Sequence, residues 1–379
     1  MPPRKASTTP VKASSRTKVK AAASNVEQVA TRDAPNWLLC VVQYSGILLS
    51  SLALSTALFS LSTQITRGDL AWTSKYYDHW WQVGGLLTWR AVELTVAWVL
   101  GYDARDVASF IFLTHLPTYV LLCSFYGTRP TTMLTVAFIT IFSIAVPFCI
   151  FRAPSRVHQE HPISCTCSRI CSRLCSRLCA RTGTASTSTA AKGKTKQKPT
   201  ILTDTPTTVY TTLVATAIYT VSLYTSFATW LPSCLVMHFD GLPDLRRAHE
   251  GPRGFVSLFT TLLPAGYALR DFLFVSCIGA ASLDRQEAPK GRKHVERPGE
   301  LLVTSLYRRY WLGLLTKTRV LASRTVVLAT MIMLNTIVQV VGTISGAGLE
   351  GAVGWGIVWA VATAVTGVVF GWIAAADGL

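Results

Sequence analysis

TVVLATMIMLNTIVQVVGTISGAGLEGAVGWGIVWAVATAVTGVVFGWIAA, residues 325–375, carries a single formal charge, Glu350. A bilayer core of about 30 Å takes about 20 apolar residues per helical span. The stretch therefore divides into two spans, Thr325–Leu349 and Gly351–Ala375. The connector around Glu350 is so short that the two read as an antiparallel hairpin. Gly342 with Gly346, and Gly367 with Gly371, stand four residues apart. Such spacing lets helix backbones approach closely where no hydrophobic drive separates helix from lipid. Packing within the chain is the plain reading of these glycines, and a subunit interface is the other.

Outward from the hairpin, four more stretches run past 20 residues without Asp, Glu, Lys or Arg: Trp37–Leu61, Val107–Thr128, Thr131–Phe151 and Val209–Leu231. The chain of 379 residues is 50% hydrophobic and 15% charged, with a mean hydropathy of +0.37. Soluble domains carry about 25% charged residues. The runs must be helical, because backbone groups in lipid are satisfied only within a helix or a closed barrel. They are too continuous for barrel strands, which alternate over about ten residues. Trp80–Gly101 is apolar but carries Arg90 and Glu93, and Phe255–Ala281 carries Pro264, Arg270 and Asp271. Each is either a further span or a helix lying in the interface.

Charge placement favours spans. Lys and Arg collect in cytoplasmic loops. If all eight segments cross, residues 1–36, 152–206 and 282–324 fall on one side with 7, 10 and 10 basic residues, 27 of the chain's 36. Leaving both charged segments in the interface puts the tail and the 152–206 loop on opposite sides, which the rule disfavours. The reading is an all-α integral membrane protein, a polytopic helical bundle of eight transmembrane helices (six at the least), with both termini cytosolic. The net charge of +17 is then a topology signal first, and nucleic-acid binding is the weaker reading of it.

The expected organisation is a disordered basic tail (1–36), a first membrane half (37–152), a cytosolic linker rich in Cys, Arg, Ser, Thr and Lys (153–205), and a second membrane half (206–379) with the basic loop 282–324. The halves, with spans near 37–61, 80–101, 107–128, 131–151 and near 209–231, 255–281, 325–349, 351–375, faintly resemble a parallel repeat. The tail lacks the apolar core of a signal peptide, so the first span is expected to stay uncleaved. Endoplasmic reticulum or nuclear envelope is the expected location, with plasma and mitochondrial membranes as alternatives.

The linker holds Cys165, Cys167, Cys171, Cys175 and Cys179, interleaved with arginines at a four-residue step. Cytosolic cysteines are poor disulfide candidates, and Cys-x-x-Cys pairs suited to zinc are absent here. Juxtamembrane cysteines amid basic residues are S-acylation candidates. Acyl chains with a basic stripe would hold the segment on anionic lipids of the cytosolic leaflet; an unmodified low-complexity linker is the bland alternative.

Charged groups at membrane depth are costly and usually face a bundle interior. Arg90 and Glu93, three apart, share a helix face. With His115, Arg270, Asp271 and Asn335 they could form one buried polar centre, of the kind a transporter needs. An internal ion pair that merely orients helices would leave the same trace. His238, Asp240, Asp244 and His249 supply metal-ligating or acid–base groups after the 209–231 span, but their spacing fits no zinc or diiron signature. No phosphate-cradling loop, nucleophile elbow or dinucleotide fingerprint occurs, and no cofactor is expected. The leading functional expectation is a non-enzymatic scaffold, adaptor or assembly factor capturing protein partners through 1–36 and 153–205. A secondary transporter or channel is the alternative, and a membrane-embedded enzyme a distant third. Oligomeric state is not legible.

Overall fold

The computed structural model describes residues 37–66, 75, 79–152, 205–240, 242, 252–277 and 316–376. The tail 1–36, the cysteine–arginine tract and most of the 282–324 loop lie outside the described residues. The described residues are helical throughout, apart from short connections and one isolated bridge. In chain order the helices are α1 (Trp37–Thr66), α2 (Trp80–Val99), α3 (Ala104–Phe125), α4 (Pro130–Phe151), α5 (Thr205–Ala228), α6 (Leu231–His238), α7 (Pro252–Leu269, continued by a π-helical turn, Arg270–Val275), α8 (Thr316–Thr343) and α9 (Leu349–Ala376). The chain divides after Gly46, within α1, into a short N-terminal unit, described over residues 37–46 as helix alone, and a larger unit, Ile47–Leu379, that holds the bundle.

Six helices are long and apolar enough to cross a membrane, over Cys40–Thr63, Ala104–Phe125, Pro130–Phe151, Gly254–Val275, Lys317–Thr343 and Leu349–Ala375. The charged 255–281 segment is thus among them. The uncharged 209–231 segment forms α5 but falls outside the set, as does α2. In α5 the cause is threonine. Thr211, Thr212, Thr216 and Thr220 lower its hydropathy, yet each hydroxyl donates to the carbonyl four residues back at 2.7–2.8 Å. Polar by composition, these side chains leave no hydroxyl unsatisfied against their neighbours. In α2 the polar Gln82, Arg90 and Glu93 have the same effect.

Contacts at the helix ends give the direction of each element. At one end, named here for Asp106, the start of α3 meets the end of α7 through Arg105 and Asp271, and the start of α8 through Asp106 and Arg324. The end of α4 meets the end of α2 there, Arg152 Nη1 donating to the Trp98 carbonyl at 3.2 Å, and the start of α5 meets α7 through Thr208 and Arg270. At the other end the α8–α9 turn pairs with the segment after α6. The Asp240 amide donates to the Gly346 carbonyl (2.9 Å), the Gly348 amide to the His238 carbonyl (2.7 Å), and the Lys75 amide to the Thr343 carbonyl (2.8 Å). From α2 onward, the long helices therefore run alternately up and down between the two ends. At 1.5 Å per residue the 20 residues of α2 reach about 30 Å and the 24 of α5 about 36 Å.

The α8–α9 hairpin is present, with a boundary that departs from the expected one. Helix α8 stops at Thr343, because Gly346 takes a φ of +76° and the following residues bridge to Phe239. A left-handed φ suits glycine alone without strain. Gly346 thus serves a turn rather than a helix face. Helix α3 sits deepest, with 67% of its apolar window buried, against 17% for α1. It packs on α4, α7, α8 and α9. Close approach is achieved by small residues. A Cβ on Gly266 of α7 would stand 2.1 Å from Thr216 Oγ1 of α5, and one on Gly367 of α9 would stand 2.4 Å from Thr325 Cγ2 of α8. A Cβ on Gly371 would meet Leu321 at an ordinary 3.5 Å, and one on Gly342 would meet Leu86 of α2 at 3.2 Å.

These distances separate two glycines that look alike in sequence. Gly367→Ala should lower the stability of the detergent-solubilised protein by about 1–3 kcal/mol, the usual cost of overpacking. Gly371→Ala should leave the thermal midpoint unchanged or raised. Equal midpoints for the two variants would contradict the close α8–α9 crossing.

Candidate functional site: two buried polar networks

The first network lies at mid-height between α2, α3 and α4. Helix α2 turns Glu93, Leu94 and Ala97 inward, and Glu93 is wholly buried. Arg90, one turn earlier on the same face, donates through Nη1 to Glu93 Oε2 at 3.1 Å. Its other terminal nitrogen reaches the Thr140 carbonyl and Ser143 Oγ of α4, both at 3.4 Å. His115 of α3 brings Nε2 to 3.2 Å from Glu93 Oε1. Neither of those two atoms makes an aligned hydrogen bond. The imidazole stacks on Tyr119, ring centres 6.1 Å apart. Asn335 of α8 sits beside this group with separate partners. Its oxygen accepts from Trp89 Nε1 and its nitrogen donates to the Thr114 carbonyl, both at 2.8 Å.

The second network closes the Asp106 end. Arg105 donates to Asp271 through Nε at 2.7 Å and through a second, parallel N–H. Arg324 Nη2 donates to Asp106 Oδ2 at 2.9 Å while its Nη1 donates to the Phe272 carbonyl at 3.0 Å. The same guanidinium lies over the rings of Tyr102 and Phe272, 4.9 and 5.0 Å from their centres. Ser276 donates to the second oxygen of Asp106 at 3.2 Å. Asp103 caps α3 by accepting from the Asp106 amide at 3.2 Å, the usual use of an aspartate at that position. Tyr102, in the loop before α3, has its phenol pushed up to about 12 by burial, with Asp106 adding to the rise and Arg324 opposing it. Arg270 turns elsewhere, donating to Thr208 Oγ1 at 2.8 Å. The π-helical turn at Arg270–Val275 aims these consecutive residues at different helices; π turns recur at functional positions.

The six polar-core candidates are thus divided. Arg90, Glu93 and His115 meet, Asn335 is adjacent, Asp271 belongs to the far network, and Arg270 turns from it to Thr208. Sequence reasoning passed over Arg105, Asp106 and Arg324, since they stand at span edges where charge is routine. A cleft of about 530 Å³ opens between α2 and α8, and none of the six candidates lines it. Of the other candidates, His238 faces Glu350 with Nδ1 at 3.5 Å from Oε2, and Asp240 offers its amide to the hairpin turn. Asp244, His249 and the five linker cysteines lie outside the described residues. Among the described residues no three His, Cys, Asp or Glu side chains gather in a group that could hold a metal ion.

An ion pair enclosed in this way costs most when one partner alone is removed. Arg90→Met should lower stability by about 3–5 kcal/mol, and Arg90→Met combined with Glu93→Met should recover most of that loss. Thermal midpoints of the solubilised variants measure both. A double variant no better than the single one would count against an orienting ion pair.

Residues 204–338 match the family model described as the Bouquet formation protein 3 C-terminal domain. The match takes in α5, α6, α7 and all but the last turn or so of α8, and with them Arg270, Asp271, Arg324 and Asn335. No curated protein and no solved structure matches the chain.

Proposed function

We propose that this chain is a multi-pass scaffold or adaptor of the nuclear envelope, holding partners through its basic segments. The observation that carries the proposal is the similarity of residues 204–338 to the C-terminal domain of a bouquet formation protein, a family linked to the nuclear envelope. The geometry supports it from a second direction. The ionic groups inside the bundle pair across helices, and they divide between two networks, neither of which lines the α2–α8 cleft. A transport path through Arg90, Glu93, His115, Arg270 and Asp271 would need them to share a cavity.

The eight-span topology belongs to the same proposal. It is supported by the alternation of α2–α5 and α7–α9 between two ends and by the count of basic residues. The ends of α4 and α7 and the starts of α5 and α8 meet at the Asp106 end. The 153–204 and 278–315 segments therefore leave from one face, which the charge rule assigns to the cytosol. Partner capture by 1–36 and 153–205, contact with anionic lipid, and acylation at Cys165, Cys167, Cys171, Cys175 and Cys179 are parts of this reading that sequence alone supports.

Proximity labelling from a tag within 153–205 tests it. The expected outcome is a labelled set of nuclear-envelope proteins that disappears when 1–36 and 153–205 are replaced by neutral spacers, while the protein stays in its membrane. An unchanged set of partners after replacement would sink the scaffold reading.

A further inference from the structure

We draw no further inference here: the strongest candidate, the open cleft of about 530 Å³ between α2 and α8, carries none, because nothing in the structure shows what covers it.

Discussion

Hydrocarbon offers no hydrogen bonds, so every polar group carried into this bundle must find its partner inside it. Much of the architecture follows from how that requirement is met. Threonines on α5 donate their hydroxyl hydrogens to their own helix. Trp355 gives its indole N–H to the Pro117 carbonyl at 2.9 Å, and Tyr219 shares a hydrogen with Thr363 at 2.6 Å. Both rings also belong to the aromatic cluster with Trp359, Phe125 and Phe227. Asn335 satisfies one group on each side, an indole on α2 and a carbonyl on α3. Each such bond serves twice, removing an unsatisfied group and setting which faces meet. The remaining helix pairs approach through Gly266 and Gly367, where the backbone itself makes the contact.

The two ionic networks apply the same requirement at greater stakes. A buried carboxylate alone is costly, and one beside a guanidinium is tolerable. Glu93 has Arg90 and His115. Asp271 has the paired N–H groups of Arg105, and Asp106 has Arg324 and Ser276. The difference lies in what each ties together. The Glu93 group fixes α2 against α3 and α4, and α2 is one of the two long helices that fall outside the set apolar enough to span. The Asp106 group joins the starts of α3 and α8 to the end of α7. Those helix ends, with the Arg270–Thr208 and Arg152–Trp98 contacts, are where the long basic segments enter and leave. This end of the bundle ties the roots of those segments together.

How far the sequence reveals this depends on range. Helices α1, α3, α4, α8 and α9 are legible because an uncharged run of 20 or more residues has one reading. The Arg90–Glu93 pairing is legible because three residues on a helix is a contact distance. Arg270 and Asp271 look like a similar pair and are not, because the π-helical turn sends one to Thr208 and the other to Arg105, which is 166 positions away. No local pattern announces such a partner. Arg324 is hidden differently. It stands at the head of an apolar run, where an arginine ordinarily reads as a cytosolic flank, yet it reaches inward to Asp106 and two aromatic faces. Helix α5 misleads a hydropathy scale for a chemical reason, since a hydroxyl already bonded to its own backbone no longer behaves as the scale assumes.

The arrangement of charge also bears on whether the bundle moves. Alternating access requires polar groups that can exchange partners as one half of a bundle rocks against the other around a shared site. Here Arg105 and Asp271 are joined by two parallel bonds, and Arg324 is held by a carboxylate, a carbonyl and two rings at once. Moving α8 relative to α3 and α7 would break all the contacts of Arg324 together, and moving α7 relative to α3 would break the Arg105–Asp271 pair. The α2–α8 cleft is different, since between its walls, joined by the Trp89–Asn335 bond, lies open space of about 530 Å³. Cross-bonding is dense at the Asp106 end, and the open slot lies between α2 and α8.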